Sequence, residues 1–331
     1  MLSKLISFSI LIIFATTSFS QTIKFATLAP EGSTWMNVMN EINEEVQEKT
    51  GGKVKFKIYA GGVVGEEKDV IRKIRSNQMH SAAFTGVGLG EIMPEVRVME
   101  LPFLFRNYKE IDYVNDKMFD YFSAQFEKKG YVLLGWAEVG FVRFFSNTPI
   151  SSIEDLKKTK MWAWEGDPLA NATISGLGIT PIQLNVSDIL TSFQTNLIDA
   201  AYASPLGAIA LQWHTKVNHV SDFVMADAIG AILVSKRLFK KISPENQKIL
   251  LDISREKLGE LVKLSREDNQ KSLEAILKSG VTLAPKPTAD ATMELEKRGV
   301  EIRNELTGKL FSQEILDQVI KHLEDFRNSE Q

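Results

Sequence analysis

The 331-residue chain carries 39 Lys plus Arg against 42 Asp plus Glu, a formal net charge of -3. That balance excludes a basic nucleic-acid-binding surface, and a hydrophobic content of 44% excludes disorder of the whole chain. Cysteine is absent, which rules out disulfides, thiol catalysis and Cys-ligated zinc or iron–sulfur sites.

The N-terminus reads as a cleavable secretory leader over residues 1–20. Lys4 supplies the positive end, and Leu5 to Phe14 is an apolar run too short to span a bilayer. Small Ser18 and Ser20 then precede a cut before Gln21. The expected compartment is the periplasm. Thr22 to Leu28 alternates and reads as a first strand. Ser33 caps a helix from Thr34 to Thr50 that Gly51-Gly52 ends. Val54 to Tyr59 alternates strictly as a second strand, a helix follows from about Glu66 to Ser76, and His80 to Thr85 reads as a short buried strand. This β-α-β-α-β order predicts a parallel sheet covered by helices.

The middle of the chain repeats the alternation. Tyr131 to Trp136, Val142 to Ser146, Lys160 to Trp164, Thr180 to Leu184 and Ile198 to Ala203 read as strands. Helices are expected at Ile153 to Leu156, Leu169 to Leu177 and Val186 to Thr195. Beyond it, Ser243-Pro244-Glu245 opens a helix that runs to Ser279, about 50 Å at 1.5 Å per residue. Val281 to Ala284 is a strand candidate, followed by helices at about Ala289 to Leu306 and Ser312 to Asn328. The fold class is α/β.

Four segments together resemble the solute-binding proteins of TRAP transporters, the C4-dicarboxylate-binding DctP type. They are Gly61 to Glu67, which is similar to an LGxE loop, and Pro94 to Phe105, which is similar to PE…LPFLF. Phe145 to Lys157 is similar to an S-x-x-PI…DLKG turn, and Gln194 to Asp199 to QTNxxDG. The resemblance implies a two-lobed periplasmic-binding-protein fold, with one long helix crossing both lobes and a ligand held in the cleft. It places residues 21–140 plus 228–268 in lobe I and 141–227 plus 269–331 in lobe II. It implies no enzyme activity, no cofactor, a small-molecule ligand, and delivery to TRAP membrane permease subunits.

The chain departs from that family where a ligand carboxylate is usually gripped. The family reads roughly K-I-R-V after DLKG; this chain reads Lys160-Met161-Trp162-Ala163, so Trp162 stands at the arginine's place. A second frequent arginine falls on Val142, or on Arg143 with a one-residue shift that turns the side chain to the other face. The family's Asn before PL is Ser204. An indole offers one N–H and an apolar face where a guanidinium would offer a bidentate fork. The expected site is therefore Trp162 and Trp164 as walls, Arg143 as cationic anchor, and Ser204 and Thr85 as hydrogen-bonding groups. Trp35, Phe141 and Tyr202 ring the ligand, and Glu67 contacts it or closes the cleft. The expected ligand is more apolar than a C4-dicarboxylate. A subgroup associated with a periplasmic tetratricopeptide-repeat protein is similar in lacking the arginine. The alternatives are an organic-acid or dicarboxylate binder using Arg143, and an envelope docking protein that has lost ligand binding. An envelope enzyme would need a nucleophile–base pair or a metal set, and His80, His214, His219 and His322 form neither.

Gly86-Val87-Gly88-Leu89-Gly90 lacks phosphate-loop spacing. Its glycines are expected to bring a helix N-terminus, with its free N–H groups, to the cleft.

Overall fold

The computed structural model describes residues 20–330, so the leader expected over residues 1–20 lies, but for Ser20, outside the described residues. The strands are β1 (Gln21–Ala26), β2 (Val54–Tyr59), β3 (Ser81–Thr85), β4 (Tyr131–Ser146), β5 (Trp162–Trp164), β6 (Ile182–Leu184), β7 (Ala200–Ala203), β8 (His219–Val220), β9 (Ala226–Ser235) and β10 (Thr282–Leu283). The helices are α1 (Thr34–Lys49), α2 (Glu67–Arg75), α3 (Gly86–Ile92), α4 (Tyr108–Lys128), α5 (Ile153–Leu156), α6 (Pro168–Gly176), α7 (Ile189–Gln194), α8 (Pro205–Ala210), α9 (Lys236–Phe239), α10 (Pro244–Lys278), α11 (Ala289–Leu306) and α12 (Gln313–Ser329). A 3-10 turn covers Pro94–Glu100.

The first lobe follows the predicted β-α-β-α-β order. Ser33 caps α1 by accepting from the Met36 N–H, and the stripe Met36, Val38, Met39, Ile42 and Val46 is buried. Strand β1 pairs in parallel with β2 and β3. The sheet is not parallel throughout, because β9 runs antiparallel between β3 and β4. Strand β9 is buried over nearly its whole length, and a continuous apolar run lacks the alternation by which a strand is read.

The two stretches expected as separate strands at Tyr131 and Val142 are one strand, β4, of 16 residues. Its C-terminal half leaves the first lobe and pairs with β7 and β8 in the second. Register shifts at Leu133/Gly135 and Glu138/Gly140 bend it where the lobes meet. Gly140 has φ +99°, and a Cβ there would sit 2.4 Å from Asn269 Nδ2, so the bulge needs glycine. Asn269 donates to the Val139 carbonyl at 2.8 Å and accepts from the Leu206 N–H at 2.9 Å. One buried amide thus ties the bulge to α10 and to α8 of the second lobe.

Ser243 caps α10, with Pro244 in its first turn, and the helix runs 35 residues. It packs on α1 and β4 in the first lobe and on α8 in the second. Helix α12, which the sequence reading grouped with residues 141–227, packs on α4 and on the 3-10 turn. The α12 stripe Ile315, Leu316, Val319 and Leu323 is buried in the same core as Ile111, Met118 and Phe122 of α4. Arg327 also reaches Glu110 of α4 at 2.8 Å. The apolar face of α4 needs a cover, and α12 supplies it.

Candidate functional site

The cleft face of the first lobe is built by α2 and α3. Glu67 opens α2 and is 4% exposed. Its Oε1 accepts from the Thr85 N–H at 2.6 Å; its Oε2 accepts from the Thr85 hydroxyl at 2.9 Å and the Gly88 N–H at 2.7 Å. The helix N-terminus expected to offer its N–H groups to a ligand has given them to a side chain of the same chain. Burial nevertheless outweighs these bonds and pushes the Glu67 carboxyl up to about 7.

Arg97, in the 3-10 turn, packs its stem where a Cβ on Gly90 would sit, and Glu100 fills the equivalent space at Gly86. The alternating glycines of α3 therefore make room for buried charged side chains. Arg97 and Asp167 are 5% and 4% exposed. Arg97 Nη1 and Nη2 donate to Asp167 Oδ1 and Oδ2 at 2.9 and 3.0 Å, while Nε lies 2.6 Å from Glu100 Oε2. Glu100 Oε1 accepts from the Ile229 N–H at 2.9 Å. Burial raises the Glu100 carboxyl although Arg97 opposes it. Asp167 caps α6 of the second lobe by accepting from the Leu169 N–H at 3.0 Å. The fork-on-fork pair therefore joins the two lobes. A cavity of about 480 Å³ lies beside it, with Lys68, Glu91 and Arg97 on one wall and Asp167, Asn171 and Gln183 on the other. Lys68 Nζ reaches across to the Gly166 carbonyl at 3.3 Å.

Trp162 is 2% exposed. It stacks on Tyr202 at 4.7 Å, meets Trp213 edge-on at 5.3 Å and approaches Trp164 at 6.2 Å. Its N–H is satisfied by the Leu184 carbonyl at 2.9 Å. The Tyr202 hydroxyl accepts from the Trp164 N–H at 3.2 Å, and Trp164 is only half-buried. This aromatic group is the core of the second lobe, and Trp164 and Tyr202 are its partly uncovered members. Arg143 donates through Nη1 to the carbonyls of Ser221, at 2.8 Å, and Asp222. It secures the connection between β8 and β9. Phe141 stacks on Tyr108 at 4.4 Å, and Ser204 caps α8 by accepting from the Gly207 N–H at 3.1 Å. Trp35 lies over Gly230 of β9.

The structure thus joins Glu67 to Thr85, and Trp162 to Trp164 and Tyr202, while Arg143 and Phe141 sit farther along β4. The sequence reading missed Arg97, Glu100 and Asp167, and also Asp227. Asp227 is 2% exposed, and neither of its carboxylate oxygens has a hydrogen-bond partner. Burial, with Glu138 and Glu100 nearby, raises its carboxyl well above the usual range. The spaced glycines of α3 were the available signal for the buried charges beneath that helix. Among the described residues no group of three His, Asp or Glu side chains could hold a metal ion, and no helix is long and apolar enough to cross a membrane.

Comparison with known proteins agrees with this architecture. The family model of the bacterial extracellular solute-binding proteins, family 7, matches residues 25–301. The 2,3-diketo-L-gulonate-binding periplasmic protein YiaO of Escherichia coli is 25% identical, over 81% of this chain and 82% of its own length. The solved sugar acid binding protein DctPAm of Advenella mimigardefordensis, in complex with galactonate, superposes with a TM-score of 0.86 at 20% identity, covering 93% of this chain and 99% of that one. A TRAP periplasmic solute-binding protein of Citrobacter koseri with bound D-glucuronate gives a TM-score of 0.82 at 24% identity, covering 91% and 99%.

Proposed function

Because the chain belongs to the bacterial extracellular solute-binding proteins of family 7, a family of receptors and not of enzymes, we propose that it captures in its interlobe cleft a small organic ligand more apolar than a C4-dicarboxylate. The cargo passes to a TRAP membrane permease. The observation that carries the ligand class is the state of the cleft's cations. Trp162 stands at the family's arginine position with its N–H already bound, and Arg97 is gripped by Asp167 and faces Glu100. A dianion would enter this cavity beside Glu91 and Asp167, facing Lys68 but no unpaired guanidinium. Burying unpaired charge is costly. A ligand with an apolar face and few charges suits the partly buried Trp164 and Tyr202 better.

In this reading Glu67 and Thr85, bound to each other, shape the first-lobe wall, and Trp35 of α1 lies over Gly230 of the neighbouring strand. Phe141 and Arg143 belong to the hinge side of β4, and Ser204 holds α8 in place. We divide the chain into lobe I, residues 21–140 plus 228–268 with α12 added, and lobe II, residues 141–227 plus 269–311. A leader over residues 1–20 carries the protein to the periplasm, where a tetratricopeptide-repeat protein is a proposed further partner. Titration calorimetry on purified, delipidated protein tests the ligand class, with succinate, D-glucuronate and a panel of apolar monoacids and esters as titrants. The panel should bind and succinate should not; tight succinate binding refutes the reading.

A further inference from the structure

The structure assigns to Asp167 the place of a bound carboxylate: it is the chain's own acid, seated on the cleft arginine, and it sets ligand choice by keeping other acids off Arg97. The assignment rests on the reading that ligand enters this interlobe cleft. Arginine and carboxylate meet through two parallel N–H···O bonds, one from each terminal nitrogen, the geometry by which a guanidinium takes any carboxylate. The remaining Nε side is turned to Glu100 at 2.6 Å. Both approaches to the fork along its plane are therefore occupied by the protein.

Asp167 is also fixed in place. Pro168 follows it in the first turn of α6, and Oδ1 accepts the Leu169 N–H at 3.0 Å, so the carboxylate is positioned by the helix it caps. Gly90 leaves the room in which the Arg97 stem lies. An intramolecular acid held in register is present at high effective concentration, so a free acid must displace it to bind. The pair borders the cavity of about 480 Å³, so a carboxylate brought in from that cavity would meet Arg97 as soon as Asp167 were gone.

The test is chemical rescue. Asp167→Ser keeps a good capping oxygen but vacates the space of the carboxylate. Acetate and formate are titrated into wild type, Asp167→Ser and Asp167→Ser/Arg97→Met, with chloride at matched ionic strength as reference, and melting temperature is followed. The expected result is a saturable, carboxylate-specific rise in the single variant, none in wild type and none in the double variant. Asp167→Gly, which is also tolerated at a cap and vacates the same space, should show the same rise. The assignment is overturned if acetate does no more than chloride for both single variants, or if the gain survives Arg97→Met. Failure of the ligand class reads out separately. A dicarboxylate that binds wild type and Arg97→Met equally well would refute the proposed ligand and leave Asp167 where it is placed.

Discussion

Glu67→Gln separates burial from hydrogen bonding at the buried carboxyl of α2. In the folded chain this carboxyl keeps its proton up to about pH 7, against an ordinary value of 4.5. Between those limits the folded state binds more protons than the unfolded state, so stability falls as pH rises through the window and is flat on either side. At 1.36 kcal/mol per pH unit the loss amounts to roughly 3 kcal/mol. Glutamine cannot ionise, so the variant escapes that loss. It also offers one carbonyl oxygen where Thr85 and Gly88 present two backbone N–H donors, and an unmet buried donor costs about 1–3 kcal/mol. The sign of the difference at a single pH is therefore not diagnostic. The change in that difference is: relative to wild type, the variant should gain roughly 3 kcal/mol between pH 4.5 and pH 8. At about 2 °C per kcal/mol for a chain of this size, the melting curves should shift by roughly 6 °C relative to each other. Parallel pH profiles of wild type and variant would refute the burial argument.

Arg266 binds Glu138 and Asp112 at 2.6 Å each and ties α10 to β4 and α4. Arg266→Met should lower unfolding stability by about 3–5 kcal/mol in urea, because Glu138 is left buried and unpaired; adding Glu138→Gln should recover part of the loss. Trp162→Arg should sharply lower the melting temperature without conferring succinate binding in calorimetry, because the indole it replaces is enclosed by Tyr202, Trp213 and Trp164. Gly140→Val should cost about 1–3 kcal/mol by thermal melting, from the positive φ and the contact with Asn269.

Local signals carried much of the fold. Ser33 and Ser243 mark helix starts by their own side chains, and the alternation of Val54 to Tyr59 follows from one face being buried. The central strand β9 was illegible for the opposite reason, because both its faces are covered and its apolar run has no period. Helix α4 was also passed over, although Asn107 caps it and Ile111, Val114, Met118 and Phe122 are buried at helical spacing. The placement of α12 depends on which core has an open face, a tertiary fact with no local sign. In the site, the place of Trp162 at an arginine position was read from the resemblance, whereas Glu67 and Thr85, expected to meet the ligand, bind each other. Arg97 and Asp167 are 70 residues apart, and only the tertiary fold brings them together. Arg143 drew notice because of its charge, yet its guanidinium is bound to backbone carbonyls.

Non-denaturing mass spectrometry of protein purified from the periplasm, followed by identification of the released molecule, tests the central claim most directly. The account predicts a retained organic molecule with an apolar portion and at most one carboxylate, lost when the protein is delipidated. Retention of succinate, fumarate or malate in its place would contradict it.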